Sequence, residues 1–131
     1  MGALKTAMTV QAIVTLIYGI PTLLAPDWWT TVTQQPPLPE SYILRAVGIS
    51  FVILAWLEFR IITDLERHRG LAVIYGWTSA LFFVTIVAQA LLRGFNGAHW
   101  YWWGNGIISG ALATAVLTTN QKAQSELNRS V

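Results

Sequence analysis

The stretch LAVIYGWTSALFFVTIVAQALL, residues 71–92, decides the fold. It holds no charged side chain and lacks the polar stripe that an amphipathic soluble helix repeats about every 3.6 residues. As an α-helix it is about 33 Å long at 1.5 Å per residue, enough to cross ~30 Å of hydrocarbon. Three further runs of similar length and character lie at residues 6–25, 42–63 and 100–119. Four such runs in one short chain predict an all-α integral membrane protein, its single transmembrane domain covering residues 1–131.

Composition agrees. Apolar residues make up 54% of the chain and charged residues 11%, less than half of the ~25% usual in soluble domains. Seven tryptophans suit a protein with two membrane interfaces to anchor. The net charge of +2 is small and its basic residues form no stripe, so nucleic acid is not an expected partner. With no cysteine, disulfides, thiolate metal sites and cysteine nucleophiles are excluded. Lys5 is the one basic residue ahead of the first run, which ends at Ala25-Pro26 without a small-x-small cleavage pattern; the run is expected to remain as a span.

Punctuation divides the runs. Pro26-Asp27 ends the first, and Pro36, Pro37 and Pro39 predict an extended, non-helical connection. Ser41 is the expected N-cap of the second helix, Gly70 a C-terminal stop after Arg67-His68-Arg69, and Arg93-Gly94 the end of the third helix. Asn120 closes the fourth, leaving a frayed polar tail. Gly19 and Pro21 predict a kink near the end of the first helix. Short connections make neighbouring helices antiparallel, an up-down four-helix bundle.

Orientation follows from the basic residues. Lys5, Arg60, Arg67, Arg69, Lys122 and Arg129 fall on one side, Arg45 and Arg93 on the other. That bias places both termini in the cytosol. The opposite interface then gathers Trp28, Trp29, Tyr42 and residues 100–103 into an aromatic belt. A bacterial inner membrane and a eukaryotic endomembrane fit equally well.

Glu58 is the leading candidate for chemistry. It lies about 9 Å from the midpoint of its span by the helical rise, inside the hydrocarbon, with no partner on its own helix. It is expected either to pair with Tyr75 or Thr78 of the third span or to stay protonated, with Trp56 and Trp77 the expected walls of a cavity that would stabilise a cation. Arg45, Gln89 and Asn105, with Arg93 and His99, form a second candidate cluster, a ligand-binding pocket beneath the outer tryptophans. Gly106 and Gly110 have small-xxx-small spacing and predict close helix packing, within the chain or with a partner. His68 and His99 fall on opposite membrane faces and cannot share a metal or haem. No metal site or cofactor is expected, and no phosphate loop or nucleophile elbow is present.

Two stretches, Gly19-Ile20-Pro21-Thr22-Leu23-Leu24-Ala25-Pro26 and Leu44-Arg45-Ala46-Val47-Gly48, resemble the pattern of the DoxX-like group of small four-helix membrane proteins. The resemblance covers about residues 10–60, while the tryptophan-rich start of the fourth run lies outside it. It implies four-helix topology and a role as a membrane subunit of quinone-linked oxidoreductase complexes, and it carries over no catalytic residue. Arg45 is where this pattern and the outer pocket meet. The leading functional expectation is therefore an accessory or assembly subunit of a larger membrane complex, docking on a membrane protein partner or a second copy. The alternatives are a small enzyme (isomerase, cyclase or hydrolase) acting on a lipophilic small molecule with Glu58 as acid/base, and a transporter subunit.

Overall fold

Leu4, Ala7 and Met8 are buried, which draws the first helix back to the start of the chain: α1 runs Gly2–Leu24. Pro21 is accommodated within it, and the Ala25 N–H still donates to the Pro21 carbonyl at 2.9 Å. In the computed structural model, which describes residues 1–37, 39–95 and 97–129, all regular structure among the described residues is helical. The other helices are α2 (Pro26–Val32), α3 (Ser41–Thr63), α4 (Arg69–Leu92) and α5 (His99–Arg129). Of these, α1, α3 and α4 are long and apolar enough to cross a membrane.

Several boundaries differ from expectation. Pro26 ends α1 but also opens α2, since a proline at the first helical position gives up an N–H that would have no partner there. The connection expected to be non-helical thus holds a short helix, with Asp27 in its first turn. Ser41 is the first residue of α3 rather than its cap, which is Glu40. Gly70 stops nothing. The chain turns at Asp64–His68, where the His68 N–H and Nδ1 both meet the Asp64 carbonyl, and Gly70 lies in the first turn of α4.

The tail expected to fray past Asn120 stays helical to Arg129. No glycine or proline breaks it, and the Arg69 guanidinium donates to the Asn120 side chain and carbonyl and to Gln124, all at 3.2–3.3 Å. Ala123 is buried in the same region.

The helices pack as two pairs. α1 lies along α3 and α4 along α5, α1 also touches α5, and α3 meets α4 only slightly. Glycine sets the closest crossing. A Cβ on Gly48 would collide with the Leu23 backbone, and one on Gly19 would lie 2.9 Å from the Phe51 Cβ. Those glycines belong to the two stretches quoted for the small-residue pattern, so the pattern records an α1–α3 contact. Gly106 and Gly110 do the same between α5 and α4. A Cβ on Gly106 would lie 3.3 Å from Ile86, and one on Gly110 3.2 Å from the Phe83 ring.

At the inner end, the end holding Leu4 and the Asp64–His68 turn, Leu4, Met8, Ile61, Ile62, Leu65 and Val116 form a closed apolar plug. At the outer end, the Ala98 N–H donates to the Gln34 carbonyl at 3.2 Å and joins two connections. Gly97 permits this approach: its φ is +85°, and a Cβ would lie 2.7 Å from that same carbonyl oxygen. The outward surface is apolar, with Ile17, Trp56, Trp77, Leu81, Leu91 and Ile107 all exposed.

Candidate functional site

Outward from the plug the interior opens into a cavity of about 320 Å³. This falls in the range of roughly 300–1,000 Å³ typical of small-molecule sites. Its floor is polar: Gln11 and Thr15 from α1, Glu58 from α3, Tyr75 and Ser79 from α4. Its walls are apolar, including Val14, Phe51, Leu54, Phe82, Ile108 and Leu112. Tyr18, Tyr101, Trp102 and Asn105 form the roof.

The floor is held by long-range hydrogen bonds. The Gln11 amide donates to the Ser79 hydroxyl at 3.0 Å and to the Tyr75 carbonyl at 3.2 Å, tying α1 to α4. The Tyr75 hydroxyl donates to the Leu54 carbonyl at 3.3 Å, across the seam between α4 and α3. Thr15 faces Glu58, but its hydroxyl donates to the Gln11 carbonyl at 2.9 Å. Glu58 is 1% exposed, and no well-formed hydrogen bond reaches either of its carboxyl oxygens. The Gln11 Oε1 is buried and unpartnered as well. Among the described residues, every buried side-chain oxygen or nitrogen without a partner therefore belongs to Gln11 or Glu58, on one cavity floor.

An unpaired buried polar atom costs about 1–3 kcal/mol and an ionised one more, so three of them in one place call for a donor. Among the described residues no lysine, arginine or histidine lines the cavity, and no group of three His, Asp or Glu side chains could hold a metal ion.

The roof is an aromatic chain. Tyr18 meets Trp29 edge-on with centroids 5.9 Å apart, Trp29 meets Tyr101 at 6.3 Å, and Tyr101 meets Trp102 at 5.5 Å. Phe95 stacks on Trp102 at 5.8 Å. The hydroxyl of Tyr101 faces Asn105 and Trp29. The run of aromatics at the start of α5 thus divides: Tyr101 and Trp102 turn inward, while Trp100 and Trp103 point out as expected of a membrane anchor. Leu54 of α3, Phe82 and Thr85 of α4 and Ile108 of α5 line the cavity and are also exposed; the rings of Phe51 and Phe82, 6.5 Å apart, bridge α3 and α4.

The sequence-predicted residues separate accordingly. Glu58 is in the cavity, and Tyr75 and Thr78 line it too, but neither hydroxyl bonds the carboxyl: Tyr75 donates to Leu54 and Thr78 to the Ile74 carbonyl of its own helix. Trp56 and Trp77 are 60% and 59% exposed on the outer surface and do not line this cavity, because they lie on the opposite helical faces from Glu58 and Ser79. The outer pocket does not assemble. Arg45, Arg93 and His99 are exposed, Gln89 donates back to the Gly94 carbonyl at 3.1 Å, and only Asn105 reaches the cavity.

Gln11, Thr15, Tyr18, Ser79 and Tyr101 were not singled out from the sequence as site residues. A signal existed for two of them, since Gln11 is the one amide in the 6–25 run, and Ser79 stands one turn from Tyr75. No protein-family model, no curated protein and no solved structure matches this chain.

Proposed function

We propose that the chain is a multi-pass membrane protein that holds a lipophilic small molecule in the cavity, with Glu58 as its polar anchor. In this reading α1, α3, α4 and α5 form a four-helix transmembrane bundle with both termini in the cytosol. α5 serves as the fourth span: no charged residue lies between His99 and Lys122, and tryptophan, tyrosine and glycine lower its apolarity without adding charge. The apolar outer surface supports immersion in lipid, since exposed apolar area on this scale would aggregate a soluble monomer.

The observation that carries the reading is the coincidence of three orphaned oxygens with one roomy, aromatic-walled cavity. A bilayer-facing mouth at the α3–α4 seam admits ligands dissolved in the acyl layer. The accessory-subunit reading is weaker on geometry, because the small-residue face of Gly106 and Gly110 that would dock a partner is filled by Ile86 and Phe83.

The test is extraction of the full chain from its native membrane in mild detergent, followed by mass spectrometry of organic-soluble molecules retained after gel filtration. A near-stoichiometric lipophile in the wild type, depleted about tenfold or more in Glu58→Gln, is the expected outcome, given that hydrogen bonds to charged groups contribute about 1.5–3 kcal/mol. Equal retention in both proteins would reject Glu58 as anchor. A stoichiometric protein partner with no small molecule would return the accessory-subunit reading.

A further inference from the structure

We infer that the occupant of the cavity is a cation, a lipophilic amine whose protonated nitrogen sits on the cavity floor between Glu58 and Gln11. This rests on the ligand-holding reading above and narrows its chemistry. Glu58 and Gln11 present three buried oxygens with no partner, and an oxygen that lacks a partner asks for a donor. Most of the floor's own donors are already committed. The Gln11 amide goes to Ser79 and the Tyr75 carbonyl, the Tyr75 hydroxyl to Leu54, and the Thr15 hydroxyl to the Gln11 carbonyl. The ligand must therefore bring several donors on one small group, which an ammonium does and an ether, ester or ketone does not.

Charge points the same way. The carboxylate is the cavity's one acidic side chain, and the chain's own cations lie elsewhere: Arg69 is engaged with Asn120 and Gln124, while Lys5, Arg45, Arg60 and Arg93 are exposed. The walls suit the rest of such a molecule. Phe51, Tyr75, Phe82 and Trp102 offer aromatic rings to a cation or to an aryl group, and Val14 and Leu112 offer apolar surface to an alkyl chain. Gln11 and Tyr18 stand two turns apart on α1, so floor and roof are about 10 Å apart by the helical rise. An aryl-alkylamine with a chain of about six carbons spans that distance.

Calorimetric titration of the full chain in mild detergent tests this with 6-phenylhexylamine and its uncharged counterpart 6-phenylhexanol. The proteins compared are the wild type, Glu58→Gln and Ser109→Phe, the last placing a ring into the cavity from α5. Glu58→Gln keeps the side chain's shape and removes no hydrogen bond that the structure contains, so its fold is retained. In the wild type the amine is expected to bind at least about tenfold more tightly than the alcohol, with Glu58→Gln levelling the two and Ser109→Phe abolishing both. If amine and alcohol bind equally and Ser109→Phe blocks both, the cavity holds ligands but the inference of a cation fails. If neither binds the wild type, or Ser109→Phe leaves binding unchanged, the ligand-holding reading falls with it.

Discussion

One helical turn separates two opposite treatments of the interior. At the inner end Leu4, Met8 and Ala12 of α1 meet Ile61, Ile62, Leu65 and Val116 without a gap, and Leu4 and Met8 are 0% exposed. Beside them on the same helix Gln11 and Thr15 line a cavity together with Glu58 and Ser79, and three oxygens there are unpaired. Among the described residues the packed end has no buried side-chain oxygen or nitrogen without a partner, and the hollow end has three. Plug and aromatic roof lie at the two ends, and along the α3–α4 seam the cavity-lining side chains Leu54, Phe82 and Thr85 are exposed.

The largest expected effect removes both regions at once. Gly48→Leu would drive a side chain into the Leu23 backbone and separate α1 from α3. Because overpacking already costs about 1–3 kcal/mol where side chains can yield, backbone contact should exceed about 3 kcal/mol. Thermal unfolding in detergent should show a loss of more than 10 °C or no folded protein, and a near-native melt would remove this crossing as a determinant of the fold.

A matched pair of truncations sharpens the contrast. Leu4→Ala opens a hole in the plug and should cost about 3 kcal/mol, whereas Leu112→Ala only enlarges an existing cavity and should cost about 1 kcal/mol. Equal costs by denaturant titration would mean that the two regions are packed alike. Glu58→Gln should leave the ligand-free melt unchanged or raise it by about 1 kcal/mol, since it relieves an unpaired carboxyl. A strongly destabilised Glu58→Gln would reveal a structural partner for Glu58. The smallest effect belongs to Trp77→Phe, an outward position where about 0.5 kcal/mol or less is expected in stability and no change in ligand retention.

Much of the helical framework was legible in the sequence, because predominantly apolar runs of membrane length leave few alternatives to a helix. Its boundaries were less so. Pro26 both stops one helix and starts another, and Gly70 reads as a stop although the turn is made by Asp64 and His68. The persistence of α5 depends on Arg69 reaching Asn120 and Gln124, a contact between distant parts of the chain. Glu58 was legible because a lone carboxyl in an apolar run is costly wherever it points.

Its surroundings were not legible, since helical phase decides them. Trp56, two residues before Glu58, faces outward, and Trp77, two residues before Ser79, does the same. Arg45 and Gln89 likewise turn away from the interior, while Asn105 turns in. A weak stripe that did announce the cavity runs along α4: Tyr75, Thr78, Ser79, Phe82, Thr85 and Ile86 recur at helical spacing and all line it. It is easily overlooked, because its polar members are small hydroxyls and a tyrosine rather than charges.

The central claim is that Glu58 anchors a molecule inside the bundle, and the most direct test is a density map of the full chain purified from its native membrane in mild detergent. The account predicts an elongated feature in the cavity, its inner end within hydrogen-bond distance of Glu58 and Gln11 and its body against Phe51 and Phe82. A cavity filled by the chain's own side chains, with the Glu58 carboxyl bonded to protein groups, would contradict it.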